Sequence, residues 1–330
     1  MTGSPLPPAA RHQRGAALLL AMIVVTLVAT LASAMVWQQW TAMRVEAAER
    51  SRLQSSWILH GALDWSRLIL REDARSSRID HLGEPWATPL AEARLSTFLA
   101  ADRDPTSNDG PEAFLSGSIA DAQARYNLRN LVGDDGRPVP GEVDVLKRLC
   151  TAAGLADDVA PRLAQQLASA WGARAGAASE PAAEDPKAGL APQRLEHLRW
   201  LGFDATVVAA LRPWTEVLPV RTQVNLNTAP REVLSAVLGV DRGTAERLVQ
   251  ARQRAPFESV DAARAQLPAS VKLEPARVSV ASSFFDVVGH LRLDDRALEE
   301  HSVLHRRGSG AAVQVIPVRR ERRPLSTPGP

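Results

Sequence analysis

The chain has 330 residues, 23% charged and 45% hydrophobic, enough apolar content for most of it to fold around a core. A formal net charge of +2 is too small to argue by itself for a nucleic-acid partner. The single cysteine, Cys150, excludes an intramolecular disulfide and reads as a small buried apolar residue beside Leu146 and Leu149.

Ala16 to Trp37 carries no charge. At about 1.5 Å per residue this stretch covers roughly 33 Å, matching a hydrocarbon core of about 30 Å. Arg11, His12 and Arg14 lie just before it, and Trp37 and Trp40 suit the far interface. Basic flanks stay on the cytoplasmic side, so the bulk of the chain is expected across the membrane from its N-terminus. A cleaved signal peptide, with Leu31–Ala34 as its cleavage site, would have a shorter apolar run.

The front edge of this segment reads Arg14-Gly15-Ala16-Ala17. A short basic leader, a glycine and then an apolar helix resembles a type IV prepilin leader. The resemblance implies cleavage between Gly15 and Ala16 by a prepilin peptidase, and methylation of the new N-terminus. Most pilins carry Glu at the fifth mature position; here that position is Leu20. The departure fits a subunit that nothing follows on one side.

Beyond Trp40 the period stays helical. Leu53, Trp57, Ile58, Ala62, Trp65 and Ile69 form an apolar stripe, predicting one helix over about 16–72 whose second half packs on a globular head. Residues 73–110 read as irregular, with Arg103–Gly110 rich in turn formers. Leu115–Leu131 reads as a strand and turn. From about 140 to 275 the chain is helical, and a motif repeats. Gly154, Gly202 and Gly239 each follow an apolar run, and each is followed nine residues later by a leucine, Leu163, Leu211 or Leu248. These predict three helix–turn–helix hairpins closed by left-handed glycines, in a block expected to fold as its own unit. Gly172–Pro192 has the composition of a flexible linker. From Val278 the period becomes two, predicting antiparallel strands over 278–294 and 302–322 that join the earlier strand in one sheet.

The expected class is therefore α+β: a pilin-like long N-terminal helix on an antiparallel sheet, with a large inserted all-α domain. The segments are a leader (1–15), a transmembrane helix (16–37), a first head part (38–131), the insert (132–277), C-terminal head strands (278–323) and a disordered tail (324–330).

The strings DHLGEPWATPL, SIADAQARYNLRNL, VNLNTAPREVLSAVLG, RAPFESVD, SSFFDVVGHLRL and HSVLHRR, with the Gly15 leader and Leu20, resemble the K-type minor pseudopilins of bacterial type II secretion. The resemblance is colinear over about 14–322. It implies a single-pass inner-membrane protein with a periplasmic head, at the tip of a short pseudopilus. The implied partners are the I-type and J-type minor pseudopilins, the major pseudopilin, the prepilin peptidase and the inner-membrane assembly platform. Calcium is the one cofactor implied. Glu184 and Asp185 lie nearest the family's acidic loop, but Ala170–Arg174 lacks the further acids that usually precede it.

Residues 224–267 also resemble the helix-hairpin-helix of competence-type DNA receptors, the alternative function. That hairpin normally reads Gly-apolar-Gly, its free amides holding a phosphate; here Gly239-Val240-Asp241 sets a carboxylate there, which argues against nucleic acid. No nucleophile elbow, Walker loop or metal-ligand helix is present, and the pairs His301/His305 and Glu196/His197 lack catalytic partners in the sequence, so no enzyme is expected.

Overall fold

The computed structural model describes residues 13–95, 113–175, 190–293, 296–308 and 310–325. It divides into two units, residues 1–58 and 59–330. Helix α1 runs Gln13–Ser76. In the first unit its apolar window has a mean hydropathy of 2.5 and is 0% buried, so it is long and apolar enough to cross a membrane. The Thr26 and Thr30 hydroxyls donate back to the carbonyls of Met22, Ile23 and Leu27. These two hydroxyls need no water, which hydrocarbon cannot supply. Trp37 and Trp40 lie 5.8 Å apart, and the Arg44 guanidinium sits 4.7 Å from the Trp40 ring.

In the second unit a five-stranded antiparallel sheet has the order β1-β2-β7-β8-β9. The strands are β1 (Leu90–Arg94), β2 (Ala113–Asp121), β7 (Phe284–Leu293), β8 (Arg296–Arg307) and β9 (Gln314–Leu325); the two-residue strands β3 (Tyr126–Asn127), β4 (Thr215–Glu216), β5 (Val224–Asn225) and β6 (Val278–Ser279) fall between β2 and β7 in the chain. The strand before the helical block and those after it meet directly, from Ala113↔Leu293 to Asp121↔Phe285. The end of α1 packs on this sheet: Leu63 and Leu70 cluster with Trp86, Phe285, Val287, Leu304, Val313 and Val315. Each fully buried leucine stabilises this contact by roughly 1.5–3 kcal/mol.

Two expectations change here. The buried stripe of α1 is Leu59, Leu63, Ser66 and Leu70, while Trp65 is 62% exposed, and Leu53 and Trp57 in the first unit are 59% and 76% exposed. The helix carries two apolar stripes, and the smaller side chains are the ones that fit against the pleated sheet. Leu90–Arg94, read as irregular, is an edge strand; its Ala and Glu have low strand propensity, and pairing with β2 overrides it.

Between β2 and β7 lies the helical block, with its own apolar cluster. The first hairpin joins α2 (Pro140–Ala152) to α3 (Val159–Ala175); the third joins α5 (Arg231–Leu238) to α6 (Arg242–Arg254). The middle one joins a 3-10 helix, Leu195–Leu201, to α4 (Ala205–Leu211). At seven residues that run is longer than most 3-10 stretches. Gly154, Gly202 and Gly239 have φ of +69°, +83° and +68°. Leu163, Leu211 and Leu248 are all buried. Short parallel bridges, Tyr126↔Thr215 and Val224↔Val278, tie the block to the chain entering and leaving it. The block and the sheet fall in one compact unit. Cys150 is buried, which pushes its thiol up to about 11.

Candidate functional site

Gly15 and Ala16 fall near the start of α1, and Leu20, 65% exposed, lies within its apolar part. Glu184 and Asp185 lie outside the described residues. The turns at Gly154, Gly202 and Gly239 each close one hairpin of the block at positive φ.

At the third turn, Asp241 caps α6. Its carboxylate accepts from the Thr244 amide at 2.9 Å and the Thr244 hydroxyl at 2.6 Å, and these bonds hold its pKa below the usual carboxylate range. The nearby Arg231 is paired with Glu232 and Glu246. The place where a helix-hairpin-helix would present free amides to a phosphate is thus filled by the chain's own carboxylate.

A polar node, unforeseen in the sequence, lies under the end of α1. Arg306 of β8 donates through Nη1 to Asp73 at 2.9 Å and through Nη2 to both oxygens of Asp80, at 2.5 and 2.6 Å. Asp80 also accepts from the Ser282 amide at 2.7 Å. Glu84 accepts from the His81 amide at 2.9 Å and the Trp86 indole at 2.8 Å. Carboxylate oxygens of Asp73, Asp80 and Glu84 lie within 4.8 Å of one another, and the guanidinium of Arg306 pairs with the first two.

Asp121, at the end of β2, extends the node into the helical block. It accepts from Asn225 at 2.9 Å, Thr228 at 2.6 Å, the Ser282 hydroxyl at 2.6 Å and the Gln123 amide at 2.8 Å. Asn225 also donates to the Asp80 carbonyl at 3.0 Å. Asn227, next along, exchanges two hydrogen bonds with the Phe257 backbone. Burial, reinforced by Glu84 and Asp80, raises Asp73 to about 7; burial raises Asp121 to about 6 against its hydroxyl donors; Asp80 is raised by burial too. Among the described residues no buried side-chain nitrogen or oxygen lacks a partner. The one sequence signal of this node was indirect: its residues, Asp73 apart, fall inside the strings that carried the family resemblance.

Comparison with known proteins agrees on one family. A family model described as "Type II secretion system (T2SS), protein K" matches residues 224–281, and a second with that description matches 124–220. The type II secretion system protein K of Klebsiella pneumoniae is 30% identical, over 90% of this chain and 94% of that protein. That of Pseudomonas aeruginosa is 29% identical, over 93% and 92%. The fold matches a chain in the crystal structure of the GspK-GspI-GspJ complex from enterotoxigenic Escherichia coli, with TM-score 0.59 and 21% identity, over 85% of this chain and 99% of that one.

Proposed function

We infer the role of this chain from its family: it belongs to the type II secretion system protein K family, the K-type minor pseudopilins, and is a structural component of that machine. Its apolar N-terminal helix suits a single-pass inner-membrane anchor. We propose further that Gly15 is the processing point, that Ala16 becomes the methylated N-terminus, and that the head lies in the periplasm. The chain then sits at the tip of the pseudopilus, initiating or capping its assembly for protein export across the outer membrane.

Leu20 carries the tip reading. With processing after Gly15, position five of the mature chain is a leucine and cannot pair with a neighbouring subunit's amine. The helical block between β2 and β7 agrees, because so large an addition to the head obstructs stacking of another subunit above it. I-type and J-type minor pseudopilins are the expected partners; the solved complex that shares this fold contains GspI and GspJ. Partner contacts are expected at the exposed aromatics of α1, Trp57 in the first unit and Trp65 in the second, since buried tryptophans dominate interface energies. Calcium at Glu184 and Asp185 remains a proposal of the family likeness alone. The helix-hairpin-helix DNA receptor is not favoured, given the Asp241 cap.

The test is co-purification of the full chain with I-type and J-type partners, and its ratio to the major pseudopilin in sheared filaments. Substoichiometric recovery with both partners is expected, and Trp65→Ala weakens it without changing the chain's own melting. A ratio near that of the major subunit overturns the tip assignment.

A further inference from the structure

The node around Arg306 holds more negative charge than the structure neutralises. Asp73 at the end of α1, Asp80 and Glu84 in the following loop, and Asp121 at the end of β2 are four carboxyl groups. The Asp73, Asp80 and Glu84 side chains are 7%, 1% and 7% exposed. One guanidinium, Arg306, faces them, itself 10% exposed. The His81 imidazole is 3.9 Å from Glu84. Arg125, at the edge nearest Asp121, is already held by Glu216 and Asp286. The groups brought by β7 and the helical block are neutral: Ser282, Asn225 and Thr228. With every carboxyl ionised, the node would bury a net negative charge, which is costly without a counter-ion or a proton.

The hydrogen bonds show where a proton fits. Asp80, Glu84 and Asp121 each accept from two or more donors, so their oxygens are already occupied by hydrogen bonds. Asp73 accepts from Arg306 Nη1 alone among the described residues, leaving its second oxygen to carry a proton. The node is also the fastening of the helical block. Asn225 reaches both the Asp80 carbonyl and Asp121, Thr228 reaches Asp121, and the Asp80 amide donates to the Val280 carbonyl.

We propose that this node is a proton-held latch, seating the helical block against the sheet while Asp73 is protonated and loosening that seat as Asp73 ionises. The energetic sign follows from linkage. Asp73 is raised from 3.8 to about 7 in the folded chain by burial and by its acidic neighbours. Such a group contributes stability that is fully present below the unfolded pKa and is lost as pH rises through the folded one. The window is therefore about pH 4 to 7, acid favouring the closed latch.

The test uses the full chain in detergent micelles. Native protein is expected to melt about 5 °C lower at about pH 8 than at about pH 5.5. Amide exchange at 225–229 and 280–283, corrected for the intrinsic rate, should rise over the same interval. Asp73→Asn, neutral at every pH, should melt close to native at the acid value and above it at the alkaline one, with a smaller rise in exchange at those amides than native, the rest belonging to Asp121, raised to about 6. Glu84→Gln keeps an acceptor for Trp86 and removes one repulsive charge, so its transition should move to lower pH. If Asp73→Asn does not fold, the Glu84→Gln profile decides. A folded variant of either kind with the native pH profile overturns the latch.

Discussion

The apolar part of α1 and the node beneath its end solve opposite problems. From Leu18 to Trp40 every large apolar side chain is more than two-fifths exposed, yet the hydroxyls of Thr26 and Thr30 are satisfied within the helix. At the node, charged side chains are buried and every one has a partner. In the first region the apolar surface is uncovered, and what it lacks is an apolar surrounding. In the second the charges are covered and held by hydrogen bonds between the sheet, the loop after α1 and the helical block. The same contrast separates Trp65, 62% exposed, from Trp86, which is 1% exposed, stacked edge-on 5.3 Å from Phe285 and bonded to Glu84.

The contrast breaks most visibly at Arg306. Arg306→Met removes the guanidinium that faces Asp73 and Asp80 while keeping a side chain that can lie over Phe285, whose ring centre is 4.7 Å away. Removing one partner of a buried ion pair costs about 3–5 kcal/mol, because the remaining charge has no compensation. For a head of this size that lowers the melting temperature by roughly 10 °C. Extraction with membranes should be unchanged, because the apolar part of α1 carries no part of the node. A melt that stays within a degree or two of native would show that the node does not hold the head together.

Much of this architecture is legible in the sequence, for reasons that differ by element. The apolar run and the hairpin glycines are local signals: one is a composition, the other a backbone conformation that a Cβ opposes. The sheet is legible because the period-two strands after 278 needed partners, and β2 was the strand available. The node is not legible, because its bonds join residues 202 and 226 positions apart, Ser282 and Arg306 with Asp80. Yet the six strings that carried the family likeness meet there or at its margin. Asp80, Glu84 and Trp86 come from the first, Asp121 and Gln123 from the second, and Asn225, Asn227 and Thr228 from the third. Phe257, Ser282 with Phe285, and Arg306 come from the last three. The choice between the two stripes of α1 was illegible for another reason. Hydropathy ranks tryptophan with leucine and is blind to the shape of the sheet that receives the helix.

A smaller break is available in the helical block. Gly239 has φ of +68°, and a Cβ built there would meet no atom within 4 Å. Space is therefore free, and the cost of a substitution is conformational alone. Gly239→Val should destabilise the chain by about 1–2 kcal/mol, and Gly239→Asn by less, since Asn enters the left-handed region more readily. Chemical denaturation of the two variants side by side checks it; equal losses would mean that the turn is not held by its backbone geometry.

The smallest effect on stability, and the most informative for the tip reading, is expected at Leu20. Its side chain is 65% exposed and lies in the apolar part of α1, remote in sequence from the sheet and the node. Leu20→Glu should leave the melting of the head where it is. What changes is the membrane segment. A charge there is unfavourable by about 2.5–3.5 kcal/mol unless it finds a partner, and a neighbouring subunit's N-terminal amine is the partner that other pilins offer. Should the chain cap the filament as proposed, no subunit above it requires a pairing carboxylate at native Leu20. The variant then supplies the missing half of the pair, and its ratio to the major pseudopilin in sheared filaments should stay equal or rise slightly. A clear fall in that ratio, with the head still folded, would mean that position 20 faces lipid or an apolar neighbour in the assembly. The absence of Glu would then reflect packing rather than position at the tip.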